Sequence, residues 1–249
     1  MTASRRSESF FSAAYRSCRD NIIRLARTHP EKASWPVPAC PGWSVRDVIS
    51  HLLQVCRLVV AEVPVDIHHP PAPEPTVPLM QLLTAWEELD EVLAEVLERT
   101  PWLRRGTMLL DAFSHELDIR AAAGMPPPHD HPAFADALEL ATMGFTMSVN
   151  ARRLPTLRIK TPGHAWLIGD GTPAATVRGE SLEVFRSLTG RRTLAQIREL
   201  SWSADPASWL PAFAWGPFTP PAEQVESSMA PVNQWLWFLP PNFSLGVDF

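Results

Sequence analysis

The strongest constraint on this chain is a change in apolar periodicity near residue 154. Up to that point the apolar residues recur at helical spacing in long runs; beyond it they fall into short segments bounded by glycine or proline. Phe11, Ala14, Tyr15, Cys18, Ile22, Leu25 and Ala26 form the first stripe, which stops before Pro30. Ser44 with Asp47 gives an approximate capping box, and Val45, Val48, Ile49, Leu52, Leu53, Cys56 and Val59 follow as a second stripe reaching about Ala61. His51 lies at that stripe's edge.

Residues 64–78 carry six prolines with His68 and His69 among them, a composition that predicts an exposed extended loop. A third helix is expected from Leu79 to Leu97, ended by Thr100-Pro101. A fourth runs from a Thr107 cap to Ala123, closed by Gly124, and a fifth runs from about Pro132 to Arg152. Past residue 154, L-R-I-K, A-W-L-I-G and A-T-V-R-G read as strands. Helical spacing returns at Leu182, Phe185 and Leu188 and again at Leu194, Ile197 and Leu200. The tail from Ala214 holds Trp215, Trp235 and Trp237, which predicts that it packs on something. The fold class is therefore α+β: a helical bundle over residues 1–153 and a small α+β domain over residues 154–249 that includes the Trp/Pro-rich tail.

A length of 249 residues with 45% hydrophobic content can bury a sizeable core. The net charge of -5 and scattered arginine pairs predict no nucleic-acid partner. No segment approaches the ~18 apolar residues of a membrane span, and the N-terminus does not read as a signal peptide. Three cysteines, Cys18, Cys40 and Cys56, lack C-x-x-C spacing, so a disulfide framework and a zinc ribbon are not expected; a cytoplasmic setting is.

One constellation could carry chemistry. Asp111 and His115 are four residues apart on the fourth helix, so their side chains share a face. His51, from the second helix, could complete a set of two imidazoles and one carboxylate around a divalent metal, leaving one position open. The plainer reading is an i, i+4 structural pair beside a core histidine. Asp118 extends the same face, either as a carboxylate orienting a ligand histidine or as a solvated charge. His129 and His131 are expected at the surface, with incidental metal affinity as the alternative; Arg191 and Arg192 as helix-end charges or as binders of an anionic substrate; and Trp43 against the bundle or at the mouth of the site. Cys40 has no paired histidine by spacing, and Glu116 points about 100° away from His115 around the helix.

The run Pro38-Ala-Cys-Pro-Gly-Trp-Ser-Val-Arg-Asp-Val-Ile-Ser-His51 resembles the opening signature of the mycothiol-dependent maleylpyruvate isomerase family. Asp111-Ala-Phe-Ser-His115-Glu-Leu-Asp118, followed by an Ala/Gly stretch to Gly124, resembles its second signature, and Leu182 to Arg192 resembles part of its small C-terminal domain. The similarity spans roughly residues 8 to 200. It implies a DinB-like four-helix bundle whose metal ligands map to His51, Asp111 and His115, with aspartate standing where the family has glutamate. It also implies a divalent metal, zinc first, and mycothiol as the thiol cofactor. The metal would favour the thiolate, and reversible thiol addition to an activated double bond would permit rotation from cis to trans. The expected function is a metal-dependent isomerase or S-transferase acting on a small electrophile, as a monomer or homodimer. A catalytically silent binding module of the same fold, or a metal-dependent hydrolase acting through bound water, are the alternatives.

Overall fold

The computed structural model describes residues 3–66, 69 and 71–227, with side chains from residue 11 onward. His68 and the tail tryptophans Trp235 and Trp237 lie outside the described residues. The bundle is formed by α1 (Ala3–Thr28), α2 (Val45–Val60), α3 (Leu79–Glu88), α4 (Asp90–Arg99) and α5 (Trp102–Ala122), and α6 (Phe134–Ala151) packs against α5. The sequence-predicted third helix is in fact two. The chain breaks at Leu89, inside the acidic run Glu87-Glu88-Leu89-Asp90-Glu91, and Asp90 is drawn to Arg16 at 3.0 Å and Arg19 at 2.5 Å on α1. α5 begins at Trp102 rather than Thr107, directly after Pro101, and the Thr107 hydroxyl donates back to the Leu103 carbonyl instead of capping.

The start of α2 follows its sequence closely. Ser44 Oγ accepts from the Asp47 amide, and Asp47 Oδ2 accepts from the Ser44 amide at 3.0 Å. Gly124 takes φ +67, the left-handed conformation that lets α5 end there. From Met108 to Ile119 only Asp111 escapes full burial, so α5 is the central helix of the bundle. Polar groups on that stretch are withdrawn from water, and Asp111 Oδ2, Ser114 Oγ and Glu116 Oε2 have no hydrogen-bond partner among the described residues.

Beyond α6 come β1 (Leu157–Thr161), β2 (His164–Ile168), β3 (Ala175–Arg178), α7 (Ser181–Leu188), α8 (Leu194–Arg198) and a two-residue β4 (Ser201–Trp202) that the sequence does not announce. The sheet order is β2-β1-β3-β4. β1 pairs antiparallel with β2 (Ile159 opposite Trp166) and parallel with β3 (Ile159 opposite Val177), and β4 pairs antiparallel with β3. Alternate residues of β1 face inward, and Leu157, Ile159, Val177 and Phe185 join the same contiguous core as the bundle residues Phe113, Phe145 and Val149. Trp215, at the head of the tail, packs as expected: its indole covers Gly144 on α6 and donates to the Leu188 carbonyl at 2.8 Å. Among the described residues no helix is long and apolar enough to cross a membrane.

Candidate metal centre

His51 on α2 is buried and faces α5. Its Nδ1 lies 3.0 Å from the Pro71 carbonyl oxygen, which can only accept, so Nδ1 carries the proton and Nε2 presents its lone pair. His115 on α5 is held in the same tautomer, since its Nδ1 lies 3.1 Å from Asp118 Oδ2. Both Nε2 atoms turn toward Asp111: His51 Nε2 is 3.5 Å from Oδ2 and His115 Nε2 is 3.5 Å from Oδ1. The three donor atoms lie within 4.8 Å of one another.

These contacts are long for hydrogen bonds, and Asp111 Oδ2, though buried, has no hydrogen-bond partner among the described residues. Two imidazole lone pairs and a carboxylate facing one another repel unless a cation joins them. A tetrahedral ion about 2.0–2.2 Å from each ligand sets ligand-to-ligand spacings of about 3.3–3.6 Å, and each imidazole Nε2 stands 3.5 Å from one Asp111 oxygen, a spacing in keeping with a zinc-like ion. Asp111 thus reaches both imidazoles despite lacking the methylene of glutamate. Burial works against ionisation here, but the His51 and His115 rings, with Arg191, hold the Asp111 carboxyl below the ordinary carboxylate range. Burial likewise pulls His51 down, yet the Asp111 carboxylate and the Pro71 carbonyl raise it overall.

Asp118 is fully buried, not a solvated helix-face charge. Besides His115 it receives Arg186 Nη2 on Oδ1 at 2.7 Å and Arg191 Nη2 on Oδ2 at 2.6 Å. Burial would raise its pKa, but Arg191 and Arg186 hold it well below the usual value. Arg191 and Arg192 are therefore not exposed helix-end charges: Arg191 reaches the site through Asp118, and Arg192 is paired to Glu183 at 2.6 Å and Glu226 at 2.5 Å.

The Cys-Pro-Gly-Trp segment forms a tight turn. The Trp43 amide donates to the Cys40 carbonyl at 2.9 Å and Gly42 takes φ +84, as Pro-Gly at the centre of a type II turn requires. The turn brings the Trp43 ring to 5.1 Å from His51 and 6.5 Å from His115, so it lies at the site as well as against the bundle core. It also brings Cys40 Sγ to 3.7 Å from His115 Nδ1, a neighbour that spacing alone did not reveal. Burial, and then the Asp118 carboxylate, push the Cys40 thiol up to about 12, which keeps it protonated and a poor nucleophile.

Among the described residues, two further groups of potential ligand atoms lie close together but lack the chemistry of a metal site. Cys18, Glu116 and His131 cluster on the far side of α5, and His131 is buried rather than solvated. The Ala133 amide donates to His131 Nδ1 at 3.1 Å, so Nε2 carries the proton and stands 3.1 Å from Glu116 Oε2 as a protonated nitrogen with no lone pair to offer a metal. Glu116 also accepts from Asn21 and Arg120, in keeping with its direction away from His115. Cys40, His115 and Asp118 would present a cation with the protonated Nδ1 and with a carboxylate already holding two guanidiniums.

The profile of the mycothiol maleylpyruvate isomerase N-terminal domain family matches residues 15–153, more than half of the chain. The chain belongs to this family. The matched region of this mycothiol maleylpyruvate isomerase family member contains His51, Asp111, His115 and Asp118, whereas Arg186 and Arg191 come from beyond it. Two solved structures are similar in fold: a mycothiol-dependent maleylpyruvate isomerase (TM-score 0.55) and a histidine-to-alanine mutant of such an isomerase (TM-score 0.53). Each is 13% identical and covers 82% of this chain and 97% of its own. They support the α+β architecture of a DinB-like bundle followed by a small α+β domain. No curated protein matches the chain in sequence.

Proposed function

We propose that this family member is a metal-dependent, mycothiol-using isomerase or S-transferase acting on a small electrophile, with His51, Asp111 and His115 as the metal ligands. The observation that carries this reading is the pair of fixed tautomers: both imidazoles are committed through Nδ1 to an oxygen acceptor, so both Nε2 lone pairs point at the Asp111 carboxylate, whose Oδ2 has no hydrogen-bond partner among the described residues. A divalent cation held there would supply a Lewis-acid position that favours the thiolate form of a bound thiol.

The chain's own residues would do the rest. Two neutral imidazoles and one carboxylate leave a divalent ion one net positive charge, which matches one thiolate. Asp118 holds the His115 proton at Nδ1, and Arg186 and Arg191 keep Asp118 ionised for that task. Trp43 supplies an apolar wall beside both imidazoles, limiting water there. The solved relatives are maleylpyruvate isomerases, and a cis-configured, activated double bond is the substrate class this reading extends to the present chain.

The thiol assignment is tested by adding mycothiol to cobalt-substituted protein. A new sulfur-to-cobalt charge-transfer band with altered ligand-field bands is expected. An unchanged spectrum at saturating mycothiol contradicts thiol use and favours activation of bound water.

A further inference from the structure

We infer that the proline-rich strap over residues 71–77, clamped to α2 by Arg46, sets the tautomer of His51 and through it the metal affinity of the site. This inference rests on the proposed metal centre for its functional consequence. The strap is an irregular, partly exposed loop, as its composition predicts, and its backbone is tied to one face of α2 at successive points. The Pro71 carbonyl meets His51 Nδ1 at 3.0 Å. The Glu74 amide donates to Ser50 Oγ at 2.8 Å, while its carbonyl accepts from Arg46 Nη2 at 2.5 Å. The Val77 carbonyl accepts from Arg46 Nε at 2.9 Å.

Arg46 and Ser50 are four residues apart and so share a helix face, with His51 next to them toward α5. The carbonyls of Pro71 and Glu74 are three residues apart, the repeat of a polyproline helix, so an extended proline-rich chain presents both to the same side. Prolines 71, 73 and 75 lock φ and carry no amide proton, so the strap is already restricted before it docks and few of its donors need partners.

The strap matters because two acceptors compete for one proton. Asp111 Oδ2, 3.5 Å from His51 Nε2, would draw the proton onto Nε2, the atom a metal needs free. The Pro71 carbonyl at 3.0 Å draws it onto Nδ1. His115 settles the same choice with a buried carboxylate, a stronger acceptor; His51 has only a neutral carbonyl, whose position depends on the Arg46 clamp. Arg46 is thus a positioning residue acting through Pro71.

The test uses metal-free, ¹⁵N-labelled full-length protein at alkaline pH, where the rings are neutral, with long-range ¹H–¹⁵N correlations reporting each tautomer. Wild type should show Nδ1–H at both His51 and His115. In Arg46→Met, His51 should shift toward Nε2–H while His115 stays unchanged, and zinc affinity measured by chelator competition should fall about 10- to 100-fold. Ser50→Ala, a small change inside the helix, should move both readouts the same way by less, and it decides the matter if Arg46→Met does not fold. An unchanged His51 tautomer and unchanged zinc affinity in the folded variants overturn the inference. If wild type binds no zinc but its His51 tautomer still responds to Arg46→Met, the metal reading fails while control of the His51 proton by the strap stands.

Discussion

A carboxylate at the centre of a helical bundle loses its hydration and must be neutralised or met by donors. At Asp118 two guanidiniums and an imidazole N–H do this. Replacing it with asparagine leaves Arg191 buried without its counter-charge and Arg186 with Glu226 alone, so Asp118→Asn is expected to cost about 3–5 kcal/mol in urea unfolding. A loss below about 1 kcal/mol would contradict its role as the node. The histidines add a pH signature. His51 has a raised pKa in the metal-free fold, so its contribution to stability is full below the unfolded histidine pKa near 6.5 and is lost as pH rises through the higher folded value. Zinc needs the same nitrogen free of its proton, so the stabilisation added by zinc should grow over the same rise in pH. Thermal melts with and without zinc across that range check both slopes; parallel curves would contradict proton–metal competition at His51. In sequence, His115 and Asp118 could be seen as neighbours three residues apart. Arg186 and Arg191 could not be seen as partners of Asp118, because nothing local marks a contact made across about 70 positions.

Among the elements, those with local punctuation were legible. The Ser44 and Asp47 capping box, the Gly124 stop and the alternating strand residues of β1 each carry their structural cause within a few residues. The break between α3 and α4 was not legible, because the apolar stripe runs through Leu89 and the chain turns there toward arginines on α1. The strap is the irregular, partly exposed loop its proline content predicts, but that content says nothing of what its carbonyls meet. Trp215 was expected to pack, and its seat is the bare backbone of Gly144, where a Cβ would overlap the indole. Gly144→Ala should therefore destabilise by roughly 1–3 kcal/mol through overpacking, despite alanine's better helix propensity. A variant as stable as wild type would show that the Trp215 seat is not tight.

At the scale of the whole molecule, the candidate site belongs to neither half alone. Its three facing side chains come from α2 and α5, but the cations that hold Asp118 come from α7 and the segment after it, and one core runs through both parts. The division between residues 1–153 and 154–249 marks a change of texture that need not be a break in cooperativity. Unfolding followed by far-ultraviolet circular dichroism and by tryptophan fluorescence should give one coincident transition; two separated transitions would contradict a shared core. The central claim is that His51, Asp111 and His115 together bind one divalent ion, and the most direct measurement is metal analysis of untagged protein after zinc loading and desalting. Wild type is expected to retain one zinc per chain, while His51→Ala and His115→Ala, folded by circular dichroism, retain essentially none. Zinc absent from wild type, or retained equally by both variants, would contradict it.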